Sequence, residues 1–262
     1  MSINYFIIGN WEEAQKRFFV CHGIFGSARN WRSFIYRLHK SRPDCCFIVV
    51  DLRCHGESHQ QKPPHNLERC ATDLIDLETH LGCVDGIIGH SFGGKVALCY
   101  ATLTDYKRIW TLDTPPGSSS AAQKGEAHLV LQSLKTVPLP VKRRKDVAQY
   151  LLNNGFSSSI AQWMTTNVRP STGGYIWRFD LTGIEQLLDD YFRRDYWGLL
   201  KNPPRKSHIN LVRAEKSDRW TSEQIAQLEQ LHKTQVHLLP DAGHWLHVDN
   251  PNGLMKMLVN HL

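Results

Sequence analysis

The sequence lacks any long hydrophobic run. Stretches such as Cys45–Val50 stop far short of the roughly 18–20 residues that cross a bilayer, which excludes a helical membrane protein. It also lacks a CxxC pair. Its seven cysteines are odd in number, and several (Cys21, Cys45, Cys46, Cys99) sit inside apolar runs. That pattern argues against a disulfide framework and for buried free thiols in a reducing compartment. There is no clustered basic stripe. The net charge of +6 comes from 31 Lys and Arg against 25 Asp and Glu, scattered apart from Lys142-Arg143-Arg144-Lys145. Nucleic-acid binding needs a continuous footprint, and four adjacent cations read as a solvated face. Repeats and low-complexity tracts are missing. With 41% hydrophobic and 21% charged residues, wholesale disorder is excluded too. Met1–Asn10 shows neither a basic n-region nor a long apolar h-region, so the expectation is no secretory leader and a cytoplasmic protein.

What is present is an alternation. Short β-rich runs at Asn4–Ile8, Arg17–Cys21, Cys46–Asp51, Gly86–Gly89, Arg108–Leu112, Ile209–Arg213 and Gln235–Leu239 are separated by helical stretches. The helices are expected at Trp31–His39, Leu67–Leu81, Gly94–Thr104, Ser222–His232 and Leu254–His261. This predicts an α/β fold, a mostly parallel twisted sheet flanked by helices. The rhythm breaks after Pro115–Ser120, where helical pieces follow at Lys145–Asn153, Ile160–Asn167 and Leu181–Asp190, and it resumes after Pro203-Pro204. The expected organisation is a core of residues 1–113 and 207–262, with residues 114–206 as a helical lid inserted between core strands.

Three segments carry chemistry. In Gly89-His90-Ser91-Phe92-Gly93 a GxSxG follows an apolar strand and precedes a helix-forming run. That is the setting of a nucleophile elbow: the serine sits on a tight strand-to-helix turn, glycines give it room, and the helix N-terminus favours developing negative charge. The overlapping Gly89-x-x-x-x-Gly94-Lys95 falls short of a phosphate-binding loop, because Val96 stands where a magnesium-binding hydroxyl is needed. In His22-Gly23-Ile24-Phe25-Gly26, also after a strand, the N–H of Ile24 could pair with that of Phe92 as an oxyanion hole; the bland alternative is a glycine-rich turn. In Asp241-Ala-Gly-His244-Trp245-Leu246-His247, after the last strand, His244 fits a general base late in the chain. His247 suggests a metal pair, but no third ligand follows at sensible spacing, so no metal is expected.

The acid is ambiguous on chain order alone. Asp113 ends the strand after the nucleophile strand, and Asp218 follows the next one; either could orient an imidazole, and either could simply cap a turn or helix. Asp51-Leu-Arg53-Cys54-His55-Gly56-Glu57-Ser58 reads as architecture that pins loops.

With these motifs in this order, the chain resembles an α/β-hydrolase from end to end. Within that superfamily it is most similar to the small YbfF-like bacterial esterases and their mitochondrial abhydrolase relatives. The finer likeness lies in His22-Gly-Ile-Phe-Gly26-Ser27…Asn30-Trp31, in Val147–Asn154 and Trp177–Leu181, and in Ala242-Gly-His244-Trp245-x-His247. The resemblance implies Ser91 as nucleophile, His244 as base, and hydrolysis of short- to medium-chain acyl esters or thioesters. It also bears on the acid. Many α/β-hydrolases have Gly-x-x-Asp after the penultimate strand; this chain has Ala214-Glu-Lys-Ser217, with Asp218 one residue late. The YbfF-like branch keeps an aspartate at the position matching Asp113, so the resemblance favours Asp113 over Asp218. Cys54 stands where the branch has Asn or Gly. A serine nucleophile excludes the haloalkane dehalogenases and epoxide hydrolases.

Phe25, Trp177 and Trp245 are the expected substrate-binding residues, and the lid aromatics, Trp163, Trp177 and Phe179 among them, could line an apolar acyl pocket or simply pack the lid on the core. The expected partner is a small acyl ester or thioester, with no cofactor, no nucleic acid and no membrane, in a monomer or weak homodimer. Alternatives on the same triad are a carbon–carbon bond hydrolase, a menaquinone-pathway-type synthase that abstracts a proton, and a ligand receptor with residual hydrolysis.

Overall fold

The computed structural model describes residues 3–105, 107–119, 125–204 and 207–262. Seven strands form the main sheet: β1 (Tyr5–Ile8), β2 (Lys16–Cys21), β3 (Cys45–Val50), β4 (Gly86–His90), β5 (Arg108–Leu112), β8 (His208–Ala214) and β9 (Gln235–Leu239). Their order across the sheet is β1-β3-β2-β4-β5-β8-β9. Only β1 runs antiparallel to its neighbour; the remaining pairings are parallel. The inner strands read as short apolar runs because helices cover both faces. β3 is buried at all six positions.

Alternation along each strand divides the interior into two clusters. Phe18 and Val20 of β2 pack with α1 (Ala28–Ser41) and α11 (Pro251–His261) on one face. Phe19 and Cys21 point the other way, towards α2 (Leu67–Leu81) and α3 (Phe92–Leu103). Helix starts are chemically marked. Asn66 accepts from the Arg69 N–H at 2.7 Å at the start of α2, and Asn250 accepts from the Gly253 N–H at 2.8 Å ahead of α11, which has a proline in its first turn.

Between β5 and β8 the chain leaves the sheet. It forms α4 (Gly125–Thr136), α5 (Arg144–Asn153), α6 (Ser158–Thr165), the two-stranded β6 (Val168–Ser171) and β7 (Gly174–Trp177), then α7 (Leu181–Arg193) and α8 (Trp197–Lys201). A short two-stranded hairpin interrupts the helices of this insertion. Gly173, at φ +85°, turns an antiparallel hairpin that pairs Val168 with Trp177, and a Cβ at Gly174 would lie 2.2 Å from the Val141 carbonyl oxygen. Two expected points, Ser120 and the lid boundary at Lys206, lie outside the described residues. Beyond the insertion, α9 (Ser222–Leu228) ends earlier than the expected Ser222–His232 helix, and α10 (Leu246–Asp249) is a single turn.

The insertion is pinned to the core by buried polar groups. The Lys95 ammonium, on α3, donates to the carbonyls of Gly117 (2.7 Å), Tyr191 (2.7 Å) and Arg194 (3.0 Å) and lies 4.4 Å from the Tyr191 ring centroid. Asn167 donates to the Phe25 carbonyl at 2.9 Å, and Asp190 accepts from the Leu67 N–H at 2.9 Å. Lys95 therefore faces protein carbonyls.

Candidate active site

The site lies at the carboxyl ends of β2, β4, β5 and β9, the edge at which open α/β sheets bind ligands. Ser91 follows β4 directly and has φ +53° and ψ −115°, a conformation that L-residues avoid. The chain can turn so sharply only because its neighbours lack side chains. A Cβ at Gly89 would lie 2.1 Å from the Gly93 carbonyl oxygen, and one at Gly93 would lie 2.5 Å from the Cys21 carbonyl oxygen. The Ser91 N–H donates to the Leu112 carbonyl at 3.0 Å, fixing the elbow to β5.

Across the sheet edge, His244 Nε2 is 3.0 Å from Ser91 Oγ, and its Nδ1 is 2.7 Å from Asp113 Oδ2. Asp113 has φ +47° and is fully buried. Besides His244, its Oδ2 accepts from Ser217 Oγ at 2.5 Å, and its Oδ1 accepts from the Trp220 indole N–H (2.8 Å) and the Ala214 N–H (3.1 Å). Burial alone would raise its pKa. The bond from His244, with those from Ser217 and Trp220, outweighs this and holds the carboxyl below its ordinary value. Asp218 is elsewhere: its side chain is 86% exposed and pairs with Arg219 at 3.4 Å. Trp220 is a contributor that sequence reasoning missed, since its indole meets Asp113 only once β5 and β8 lie side by side.

The His22–Gly26 loop is shaped by two imidazoles. His22 accepts the Leu52 N–H on Nε2 (3.0 Å), so its Nδ1–H donates to the Gly23 carbonyl (2.8 Å). His55 accepts the Phe25 N–H at 3.1 Å and donates from Nδ1 to the Arg53 carbonyl at 2.8 Å. The Phe25 amide is thus occupied, whereas the N–H of Ile24 carries no bond among the described residues. The Phe92 N–H opens α3, where no preceding helical carbonyl can accept it. Burial pushes His22 below its usual pKa, and burial with the neighbouring His22 pushes His55 down to about 3. Both stay neutral at physiological pH.

A chain of aromatic rings packs beside the site. Phe25 lies 5.9 Å from Phe179 and 6.4 Å from Trp163, and Trp163 lies 4.6 Å from Trp245, itself 5.9 Å from His244. Trp177 is set one ring farther out. It is 6.0 Å from Phe179, and its indole N–H donates to the Leu134 carbonyl at 3.1 Å. His247 stacks on Trp31 at 4.2 Å and is not brought into a ligand cluster with His244. The 51–58 segment braces the loops. Asp51 accepts the Ala28 (2.8 Å) and Glu57 (3.0 Å) N–H groups, and Arg53 pairs with Asp73 at 2.7 Å. Cys54 is buried beside His65 at 3.2 Å, and burial raises its thiol to about 12, which makes it inert as a nucleophile.

A seven-stranded, mostly parallel sheet with a serine elbow at its centre and a histidine after its last strand defines a hydrolase of the α/β type. The profile of the alpha/beta hydrolase family matches residues 18–256, and the chain belongs to that family. It is similar to the sn-1-specific diacylglycerol lipase ABHD11 of Danio rerio, 27% identical over 92% of this chain and 76% of that protein. It is also similar to Esterase YbfF of Escherichia coli (strain K12), 24% identical over 92% of this chain and 91% of the other. A solved marine microorganism esterase superposes with a TM-score of 0.84 at 23% identity, with both chains fully covered, which shows the shared fold. No helix among the described residues is long and apolar enough to cross a membrane.

Proposed function

We propose that the protein is a carboxylic ester hydrolase acting on short- to medium-chain acyl esters or thioesters through an acyl-enzyme. The observation that carries this reading is the continuous chain from Ser91 Oγ to His244 to Asp113, at 3.0 and 2.7 Å, ending on a buried carboxylate. As a carboxylate, Asp113 only accepts, so His244 holds its proton on Nδ1 and presents a bare Nε2 to the serine. Ser91 attacks the acyl carbonyl as His244 takes its proton. The N–H groups of Ile24 and Phe92 receive the oxyanion, each contributing about 10²–10³ in rate. His244 then protonates the leaving alcohol or thiol and activates the water that frees the acid.

The acyl chain is assigned to the ring-lined space between Phe25, Trp163 and Trp245, with Trp177 supporting from behind, and the insertion serves as its lid. The names of the relatives, a lipase and an esterase, support the reaction class. Seven free thiols, six of them buried, fit a cytoplasmic setting.

The test is hydrolysis of a p-nitrophenyl ester series from acetate to decanoate, with Ser91→Ala in parallel. Turnover by the wild type and none by Ser91→Ala is expected, and the best chain length sizes the pocket. Absence of both turnover and fluorophosphonate labelling at Ser91 would overturn the reading. Labelling without ester turnover would move the chemistry to proton abstraction, carbon–carbon cleavage or a receptor.

A further inference from the structure

His90, the residue between the elbow glycine and the nucleophile, is 2% exposed and belongs to neither end of the Ser91–His244–Asp113 chain. Its Nε2 lies 2.8 Å from the backbone carbonyl oxygen of His244. A carbonyl only accepts, so Nε2 carries the proton and donates. The other edge of the same ring faces the oxyanion-side loop. A Cβ at Gly23 would lie 3.1 Å from His90 Nδ1 and 3.5 Å from its Cε1, so the ring packs closely on this turn and a side chain there would crowd it. The imidazole is thus wedged between the loop bearing the base and the loop bearing the Ile24 N–H, and His90 is the last residue of β4, directly before the nucleophile.

We infer that His90 is a positioning residue that sets the register of the His244 loop, and of the Gly23-Ile24 turn, against Ser91. It touches neither substrate nor reacting atoms, and its effect passes through His244. The ring is held on its remaining sides by Trp31 (5.8 Å), Trp245 (6.0 Å) and His247 (5.7 Å), so it has no alternative seat. The titratable groups facing it are His244 and His247 from the base loop and α10, and His22 from the end of β2. Burial, then the first two of these imidazoles, push His90 well below the usual histidine range. It therefore stays uncharged while His244 takes and releases its proton, and it adds no repulsion to the imidazolium formed during turnover. His247, driven to about 4 by burial and by His244, is neutral for the same reason. Three histidines lie within ring contact, and only His244 has a carboxylate partner.

The test compares two amides that differ in reach. In His90→Gln the amide N–H extends to the position of Nε2 and can still donate to the His244 carbonyl. In His90→Asn it stops near Nδ1 and cannot. The two are of similar polarity and differ by one methylene, so a purely structural role would show as a lower urea midpoint for His90→Asn with kcat held, and not as a loss in kcat. The expected result on p-nitrophenyl butyrate is a loss in kcat of about 100-fold for His90→Asn, the scale of a 1 Å misplacement, and less than about tenfold for His90→Gln. KM should stay within about twofold for both, because ground-state binding is untouched.

The kinetic half rests on the hydrolase reading; a second readout does not. The proton on His244 Nδ1, bonded to Asp113, should give a low-field NMR resonance in the wild type and in His90→Gln. In His90→Asn it should broaden through exchange with water. Equal kcat for the two amides, a loss confined to KM, or an undisturbed His244 proton in His90→Asn would each overturn the inference. If the wild type cleaves no ester and takes no fluorophosphonate, the function reading fails, while the resonance still decides this one.

Discussion

Replacing Asp113 by asparagine changes one atom, and the structure says where that atom must go. The carboxylate accepts from four donors: the Ala214 N–H and Trp220 indole N–H on Oδ1, and Ser217 Oγ and His244 Nδ1 on Oδ2. The backbone amide and the indole can only donate, so the asparagine oxygen must stay on their side. Its NH2 then faces Ser217, whose hydroxyl can rotate to accept, and His244. The imidazole can satisfy that donor only by moving its own proton to Nε2, and Nε2 would then donate towards Ser91 instead of accepting from it. The base is lost with the geometry intact. In a serine-protease triad the same exchange costs about 10⁴ in kcat, so the expected loss here is about 10³–10⁴, or about 4–5 kcal/mol of barrier. Steady-state hydrolysis of p-nitrophenyl butyrate by purified Asp113→Asn and Asp218→Asn measures it. Asp218, exposed and paired only with Arg219, should leave kcat within about twofold, as surface charge changes do. An Asp113→Asn enzyme retaining a tenth of wild-type activity, or an Asp218→Asn enzyme as impaired as Asp113→Asn, would refute the tautomer argument.

Ser91→Gly should abolish turnover while raising the urea midpoint: relief of the φ +53° strain, about 1–3 kcal/mol, exceeds the extra unfolded-state entropy of glycine, about 0.5–1 kcal/mol, for a net gain of about 1 kcal/mol. Lys95→Met strands three buried carbonyls and should destabilise by about 3 kcal/mol in urea denaturation. Burial lowers the Lys95 pKa from 10.5 to about 7, so between those values the unfolded chain binds a proton that the folded chain has released. Stability should therefore rise with pH across that window in the wild type, and the rise should shrink in Lys95→Met; a parallel pH dependence in the two proteins would contradict this. Trp163→Ala opens the ring bridge between Phe25 and Trp245 and should move the preferred p-nitrophenyl ester to a longer chain, by two or more carbons in the series, with Ser91 still labelled by fluorophosphonate.

Much of the sheet was legible in the chain because of how it is buried. β3 and β4 are covered on both faces, so they read as short apolar runs flanked by turn residues, and the largely buried Arg108–Leu112 was bounded to the residue. The β6–β7 hairpin escaped because its burial is slight: Pro170 and Ser171 are exposed and only Val168 and Trp177 are fully covered, which leaves no alternation to detect. Its one local sign was the Gly173-Gly174 pair. The start of α3 at Phe92 was read two residues late because the glycines that follow have low helix propensity. They are there for the elbow's close approaches and not for the helix.

The site divides in the same way. Whatever depends on a tight local turn, as Ser91 does, is written in adjacent residues. Whatever depends on two strands lying side by side is not. Chain order admits Asp113 and Asp218 equally, and the difference between them arises only in three dimensions. β5 and β8 are parallel neighbours, so the backbone N–H of Ala214 and the side chains of Ser217 and Trp220 converge on a carboxylate leaving β5 at φ +47°. The bond from His244, joined by those from Ser217 and Trp220, outweighs the cost of burying that charge. Asp218, one residue past Ser217, has no such cradle and turns to solvent. A carboxylate can orient an imidazole only where its own ionised form is already stabilised, so the supporting donors, more than the position of the acid in the chain, decide which aspartate can serve.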